Sequence, residues 1–191
     1  MVVTAWTPER YRAEGYGTKY VWIDFVNSQH WDGFGGEVEY LKDPIWRMAF
    51  LRASQLSAPL DQPFPLRSFV ALRNNLRTAA TQISESGDMS SDLLRRLNKA
   101  LAVAVRRSIE GTKRGYRMRV RPVDASWNSV ESEIVASFAA FVESGQLHRL
   151  KACSNPDCRW VFFDATKNNM RRWCNDRVCG NRDRVGRYRA K

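Results

Sequence analysis

Apolar positions along the chain change period several times, and each change predicts an element. Residues 1–19 show no clean period and read as an irregular lead-in. From Tyr20 to Asn27 alternate residues are apolar on both faces, with Val21, Ile23 and Phe25 on one side and Trp22 and Val26 beside Asp24 on the other, which predicts a central, buried strand. Gly33-Phe34-Gly35-Gly36 has no Lys-Ser/Thr after it and reads as a loop rather than a phosphate cradle. Asp43-Pro44 is a helix start, a carboxylate cap before a proline in the first turn. Ile45, Met48, Ala49 and Phe50 continue it as an apolar stripe ending before Pro59, and Pro63 and Pro65 close the following loop.

Leu66 to Ser84 has helical periodicity through Phe69, Val70, Leu76, Ala80 and Ile83, and Gly87 to Asp92 then forms a turn. Leu93, Leu94, Leu97, Leu101, Val105 and Ile109 predict a second long helix that ends at Gly111. Tyr116 to Pro122 alternates strictly, with Tyr116, Met118 and Val120 opposite Arg117, Arg119 and Arg121, so it reads as a strand. Its arginine face fits either an anion-binding surface or a sheet edge kept soluble by charge. Ser126 caps a third long helix, with Trp127, Val130, Ile134, Phe138, Phe141 and Val142 inward as far as Gly145. Gln146 to Ala152 is read as extended, Arg159 to Phe163 as a strand, and the chain from Asn175 onward as helical. The fold class is therefore α+β: a mainly helical domain over residues 1–147, with a small sheet made by the Tyr20–Asn27 and Tyr116–Val123 strands, then a small module over 148–191.

Two polar interruptions of the apolar pattern stand out. Arg73 falls on the core stripe of its helix, and Asp24 and Asn27 interrupt the buried strand. A buried guanidinium needs a partner, so Arg73 is expected to meet Asp24 or a small anionic ligand held by Arg73, Asp24 and Asn27. For Asp24 itself, a nearby backbone N–H or arginine is the plainer partner.

All four cysteines lie near the end of the chain, as Cys153-x4-Cys158 and Cys174-x4-Cys179. Two tight pairs with an intervening segment can bring four thiolates around one Zn2+, a closed and hence structural site with one ion per chain. Two disulfides or four buried thiols are the alternatives. Disulfides belong to oxidising compartments, and the first ten residues have no basic start before an apolar core, which predicts a cytoplasmic protein.

Composition adds two points. A hydrophobic content of 43% fits an ordinary folded chain, and no apolar run approaches a membrane span. The net charge is +11; from His148 onward 12 Lys/Arg stand against 4 Asp, giving +8 and leaving +3 for the first 147 residues. The excess is thus assigned to the cysteine module and points to a polyanion partner, although a solvated basic tail explains it as well.

The module reads as a knuckle, short strands, a second knuckle and a C-terminal helix. Helical spacing puts Arg182 and Gly186 on the side of Cys179, toward the metal, and turns Arg184, Arg187 and Lys191 outward. Arg171, Arg172, Arg177, Arg184, Arg187 and Lys191 are the candidate phosphate contacts, and Lys167-Asn168-Asn169 is a polar loop. His30 and His148 are the only histidines and join no nucleophile motif, so no catalytic residue is assigned.

Cys153-x4-Cys158, Phe163-Asp164, Arg171-Arg172-Trp173-Cys174 and Cys179-Gly180-Asn181-Arg182 resemble the bacterial CGNR zinc-finger family. Ile23 to Ser28 and Leu72 to Arg77 are similar, more loosely, to segments of the ABATE domain that precedes the finger in that family. Asp183 departs from the small or basic residue usual there. The resemblance implies a stress-related transcription regulator that binds DNA, while the small anionic effector is the ligand reading of Arg73, Asp24 and Asn27. A zinc-stabilised protein-interaction module without DNA contact is the alternative. The oligomeric state stays open, a homodimer included.

Overall fold

The computed structural model describes residues 18–31, 36–113 and 115–189, with His30 described in its backbone alone. Its centre is a short helix, α1 (Val21–Val26), in which Trp22, Ile23, Asp24, Phe25 and Val26 are all buried. The segment predicted as a strand is therefore helical. A six-residue run that is apolar all round satisfies either period, and here no partner strand is available to it. As a helix it meets the core on several sides at once. Trp22 packs edge-on against Phe138 at 5.1 Å, and Phe25 packs against Phe50 at 6.0 Å and Phe69 at 5.9 Å. Each such aromatic, fully buried, contributes about 1.5–3 kcal/mol over an exposed one.

The strands β1 (Gln29–Trp31) and β2 (Glu37–Glu39) follow as an antiparallel pair, and of the glycine loop only Gly36 lies within the described residues. The helix α2 (Pro44–Ala53) starts as expected, with the Asp43 carboxylate accepting from the Ile45 N–H at 2.8 Å. Its buried face differs from the expected stripe: Trp46, Phe50 and Leu51 are inside and Ile45 is exposed. The cause is Trp46, which stacks between Tyr40 and Phe50 and turns the helix by one residue.

The helix α3 (Leu66–Ser86) is the long amphipathic element expected, stopped by Gly87 at φ 76°, a left-handed cap that favours glycine. Next, α4 (Ser91–Leu101) ends ten residues before the predicted stop. Val105 and Ile109 lie instead in β3 (Val105–Thr112), which pairs in antiparallel register with β4 (Gly115–Pro122). The spacing of Leu101, Val105 and Ile109 continues a helical period, but the cross-strand ladder to β4 takes the segment. The same pairing removes β4 from any sheet with residues 20–27, so the small sheet expected there is absent among the described residues; three two-stranded sheets occur instead.

Ser126 caps α5 (Trp127–Glu143) by accepting from the Ser129 N–H, and Val130, Ile134, Val135, Phe138 and Phe141 are buried on it. A 3-10 turn, Leu147–Arg149, precedes β5 (Leu150–Ala152), so only the second half of the expected extended segment is a strand. β5 pairs with β6 (Val161–Phe163), and a π-turn (Asp176–Gly180) leads into α6 (Asn181–Arg189). No helix among the described residues is long and apolar enough to cross a membrane.

One core runs through both parts of the chain. Phe163 of β6 packs edge-on against Tyr20 at 5.5 Å and Phe141 at 6.3 Å, and Cys153, Cys158, Trp160 and Cys179 belong to the same buried cluster as Trp22 and Phe141. Asn27, the residue after α1, uses its side-chain amide as a strand would. Its Nδ2 donates to the Val161 carbonyl at 2.8 Å, and its Oδ1 accepts from the Val161 N–H at 3.0 Å. Beside it, the Trp31 ring lies between two guanidinium groups, Arg77 of α3 at 4.8 Å and Arg159 of the cysteine module at 5.2 Å.

Candidate metal centre and nucleic-acid interface

Each cysteine pair is held by a turn whose chemistry is local. In the first, Asn155 Oδ1 accepts from the Asp157 N–H and the Asn155 carbonyl accepts from the Cys158 N–H at 3.0 Å. The Cys153 N–H donates to the Trp160 carbonyl at 2.8 Å, which fixes this knuckle to the start of β6. In the second, the Asn175 side chain accepts from the N–H groups of Arg177 and Val178, and its carbonyl accepts from the Cys179 N–H at 2.8 Å. Gly180 sits where an added Cβ would stand 2.3 Å from Asp176 Oδ1 and 2.9 Å from the Trp173 ring, a close approach that suits a residue without a side chain.

The four sulfurs converge, all within 4.8 Å of one another, with Cys158–Cys174 at 3.5 Å and Cys174–Cys179 at 3.7 Å. A tetrahedron with Zn–S bonds of about 2.3 Å has edges of about 3.8 Å, so the separations fit a ZnS4 site. All four cysteines are free of disulfides. Hydrogen bonds from Cys158 and Cys174 favour the thiolate at Cys153, and acting as donors pushes the Cys158 and Cys174 thiols up, with burial adding to the effect. A bound Zn2+ would require all four as thiolates and would itself favour that form. The four cysteines could bind one zinc ion, whose role in a closed site is to hold the two knuckles together.

A second set of groups braces the metal loops. Asp164 is fully buried and accepts from Lys151 Nζ at 3.0 Å, the Arg171 N–H at 2.8 Å and both the N–H and hydroxyl of Thr166. Burial works against its charge, but these bonds outweigh it and hold its pKa well below the usual carboxylate range. Arg149 donates to the carbonyls of Asp164 and Thr166. Asn168 accepts a turn bond from the Met170 N–H, and Asn169 donates across the module to the His148 carbonyl. Asp164 entered the sequence reading only within a motif; Lys151 and Arg149 carried no local signal, because their partners lie across the β5–β6 pair.

The candidate phosphate contacts divide. Arg171 turns inward: its Nε donates to the Trp173 carbonyl at 2.8 Å, its Nη2 to the Cys174 carbonyl, and its guanidinium lies over Phe162 at 4.7 Å. It braces a metal ligand and has little left for a phosphate. Arg172 is exposed over the Trp173 ring at 4.8 Å, and Arg177 is exposed. Arg184 and Arg187 point outward, as helical spacing predicts, in surface ion pairs with Asp176 at 3.3 Å and Asp183 at 2.7 Å. Such pairs are worth about 0–1 kcal/mol and yield readily to a stronger anion. Arg182 is half-buried beside Cys179, and Lys191 lies outside the described residues.

Arg73, Asp24 and Asn27 are not brought together. Arg73 is buried and grips Glu39 through both terminal nitrogens, at 2.5 and 2.7 Å, with Ser28 Oγ at 3.3 Å. The expected Asp24 partner is replaced because α1 is a helix: Asp24 turns back to accept the Thr18 N–H at 3.1 Å on both oxygens, the backbone partner that was the plainer expectation. Asn27 spends its amide on Val161. Neither Glu39 nor Trp31 was singled out in the sequence, since both sit in three-residue strands too short to show a pattern.

Comparison with known families accounts for most of the chain. The model of the CGNR zinc finger matches residues 149–191, and that of ABATE, described as "Putative stress-induced transcription regulator", matches residues 20–145. Both are regulator or zinc-finger types. No curated protein matches the chain.

Proposed function

Because the chain belongs to the ABATE family and carries a CGNR zinc finger after that domain, we propose that it is a transcription regulator whose finger contacts DNA directly. The observation that carries this reading is α6: none of its residues is buried, and Arg184 and Arg187 extend from it beside Arg177 and Arg172 on the metal-set knuckle. A helix with no fully buried residue leaves most of its surface to solvent, and its outward cations suit a phosphate backbone. Binding of the zinc-loaded protein to duplex DNA, followed by fluorescence anisotropy across salt, tests it. Log affinity should fall with log salt by about 0.9 per phosphate contact, and replacing Arg177, Arg184 and Arg187 by alanine should remove up to about 2.7 from that slope. Absence of binding at low salt favours the protein-interaction alternative.

The larger domain in this reading senses a small ligand, with support from a different place than Arg73. A cleft of about 650 Å³ opens between finger and domain and reaches the metal centre, lined by Tyr20, Asn27, Trp31, Trp160 and Arg182 together with Cys158, Cys174 and Cys179. A molecule bound there touches Tyr20 and Asn27, which flank α1, and the Cys179 turn together, which gives it a route to the DNA-binding face.

A further inference from the structure

The hairpin of β3 and β4 is a second basic centre. Residues 105–122 hold seven Lys/Arg against the single acid Glu110, a charge of +6. The +3 of the first 147 residues is therefore +6 here and −3 elsewhere, and the charge excess does not belong to the finger alone.

The register separates two faces. On one, Arg106, Ser108 and Glu110 stand opposite Arg121, Arg119 and Arg117. This face is tied internally: Glu110 pairs with Arg117 at 3.0 Å and Arg119 at 3.5 Å, and Arg121 pairs with Glu133 of α5. On the other face Arg107 opposes Val120, Ile109 opposes Met118, and Gly111 opposes Tyr116. Here Tyr116 is 85% exposed, Ile109 79%, Met118 67% and Val120 46%. Arg106 and Arg107 have no ion-pair partner among the described residues. A two-stranded ribbon is marginally stable alone, and a contiguous apolar face rimmed by charge marks an interaction site.

Charge decides what covers this face. A second copy would bring another +6 against the first, whereas DNA brings the opposite sign. The minor groove accepts apolar side chains pressed against base steps, with arginines on the groove and its phosphates. We infer that the β3–β4 hairpin is a DNA-binding arm, laid in the minor groove with the Ile109–Met118 pair against the bases and Arg107, on the same face, on the phosphates. It rests on the DNA-regulator reading and gives that regulator a second contact, outside the finger.

The test uses the full-length, zinc-loaded protein, duplex DNA, and three variants: R107A, I109S/M118S, and the finger variant R177A/R184A/R187A. The hairpin changes lie at exposed positions, so thermal melting should stay as in the wild type. R107A should lower the salt slope by about 0.9, for one phosphate contact. I109S/M118S should weaken binding on the order of tenfold with the slope kept, and should abolish competition by netropsin, which fills the minor groove. If both hairpin variants bind as the wild type does while the finger variant loses slope, the arm is wrong and the finger reading stands. If the finger variant is unchanged and the hairpin variants lose binding, the arm stands without the finger. A wild type that does not bind DNA removes both. Binding to anionic phospholipid vesicles, or a dimer in sedimentation, that I109S/M118S abolishes while DNA affinity is untouched would reassign the face and overturn the arm.

Discussion

The finger and the hairpin are both basic, but their cations do different work. In the finger, Arg149, Lys151 and Arg171 are consumed in holding loops together, while Arg172, Arg177, Arg184 and Arg187 are among the cations left facing outward. In the hairpin no loop needs bracing, and the ladder of β3 with β4 sets the shape through backbone bonds, so Arg106 and Arg107 are left over. The finger's shape depends on a metal and a shared core; the hairpin's depends on register. Net charge alone does not tell a structural cation from a binding one. The bonds each guanidinium already makes do.

The largest effect expected from this contrast is on zinc. Metal analysis should find one zinc per chain. Cys174→Ser, or removal of zinc by a chelator, should unfold the finger, because a structural zinc site supplies about 10–16 kcal/mol of folding free energy in isolated fingers. Far-ultraviolet circular dichroism should keep most of the helical signal from α3, α4 and α5. Any DNA affinity that survives should come from the hairpin and respond to I109S/M118S. No metal in the purified protein, or two disulfides by mass spectrometry, would contradict the ZnS4 site.

A smaller effect is expected at the Arg73–Glu39 pair, which anchors β2 to α3. Arg73→Met strands the Glu39 carboxylate in a largely buried position and should cost about 3–5 kcal/mol in denaturant unfolding. A variant as stable as the wild type would mean that the pair is incidental. The smallest effect separates finger from domain. Asn27→Ala leaves the N–H and carbonyl of Val161 without partners and should cost about 1–3 kcal/mol. It should lower the finger's melting transition more than that of the helices; a uniform shift of one single transition would show that the two parts unfold as a unit.

What the sequence disclosed follows the length and regularity of each signal. α3 and α5 were legible because many residues repeat one helical stripe, and the metal ligands because four cysteines leave few arrangements. α1 was not, since six residues apolar all round carry no period that tells helix from strand. The run from Leu93 to Ile109 misled for the opposite reason: Val105 and Ile109 kept the period of a helix that had ended at Leu101, and only the partner strand, Gly115–Pro122, decides the matter. The partner of Arg73 was hidden because Glu39 lies 34 residues away in a three-residue strand.

The bond between Asn27 and Val161 has a consequence on the time axis. The Val161 N–H is buried, and its acceptor is a side chain from the other part of the chain, so it can exchange its proton for deuterium only when the finger lifts from α1. Most amides of the finger exchange through openings of the finger itself. That one proton is a clock for the separation of the two parts. A ligand that seals the cleft beside it should slow the clock, and DNA that pulls the finger away should hasten it.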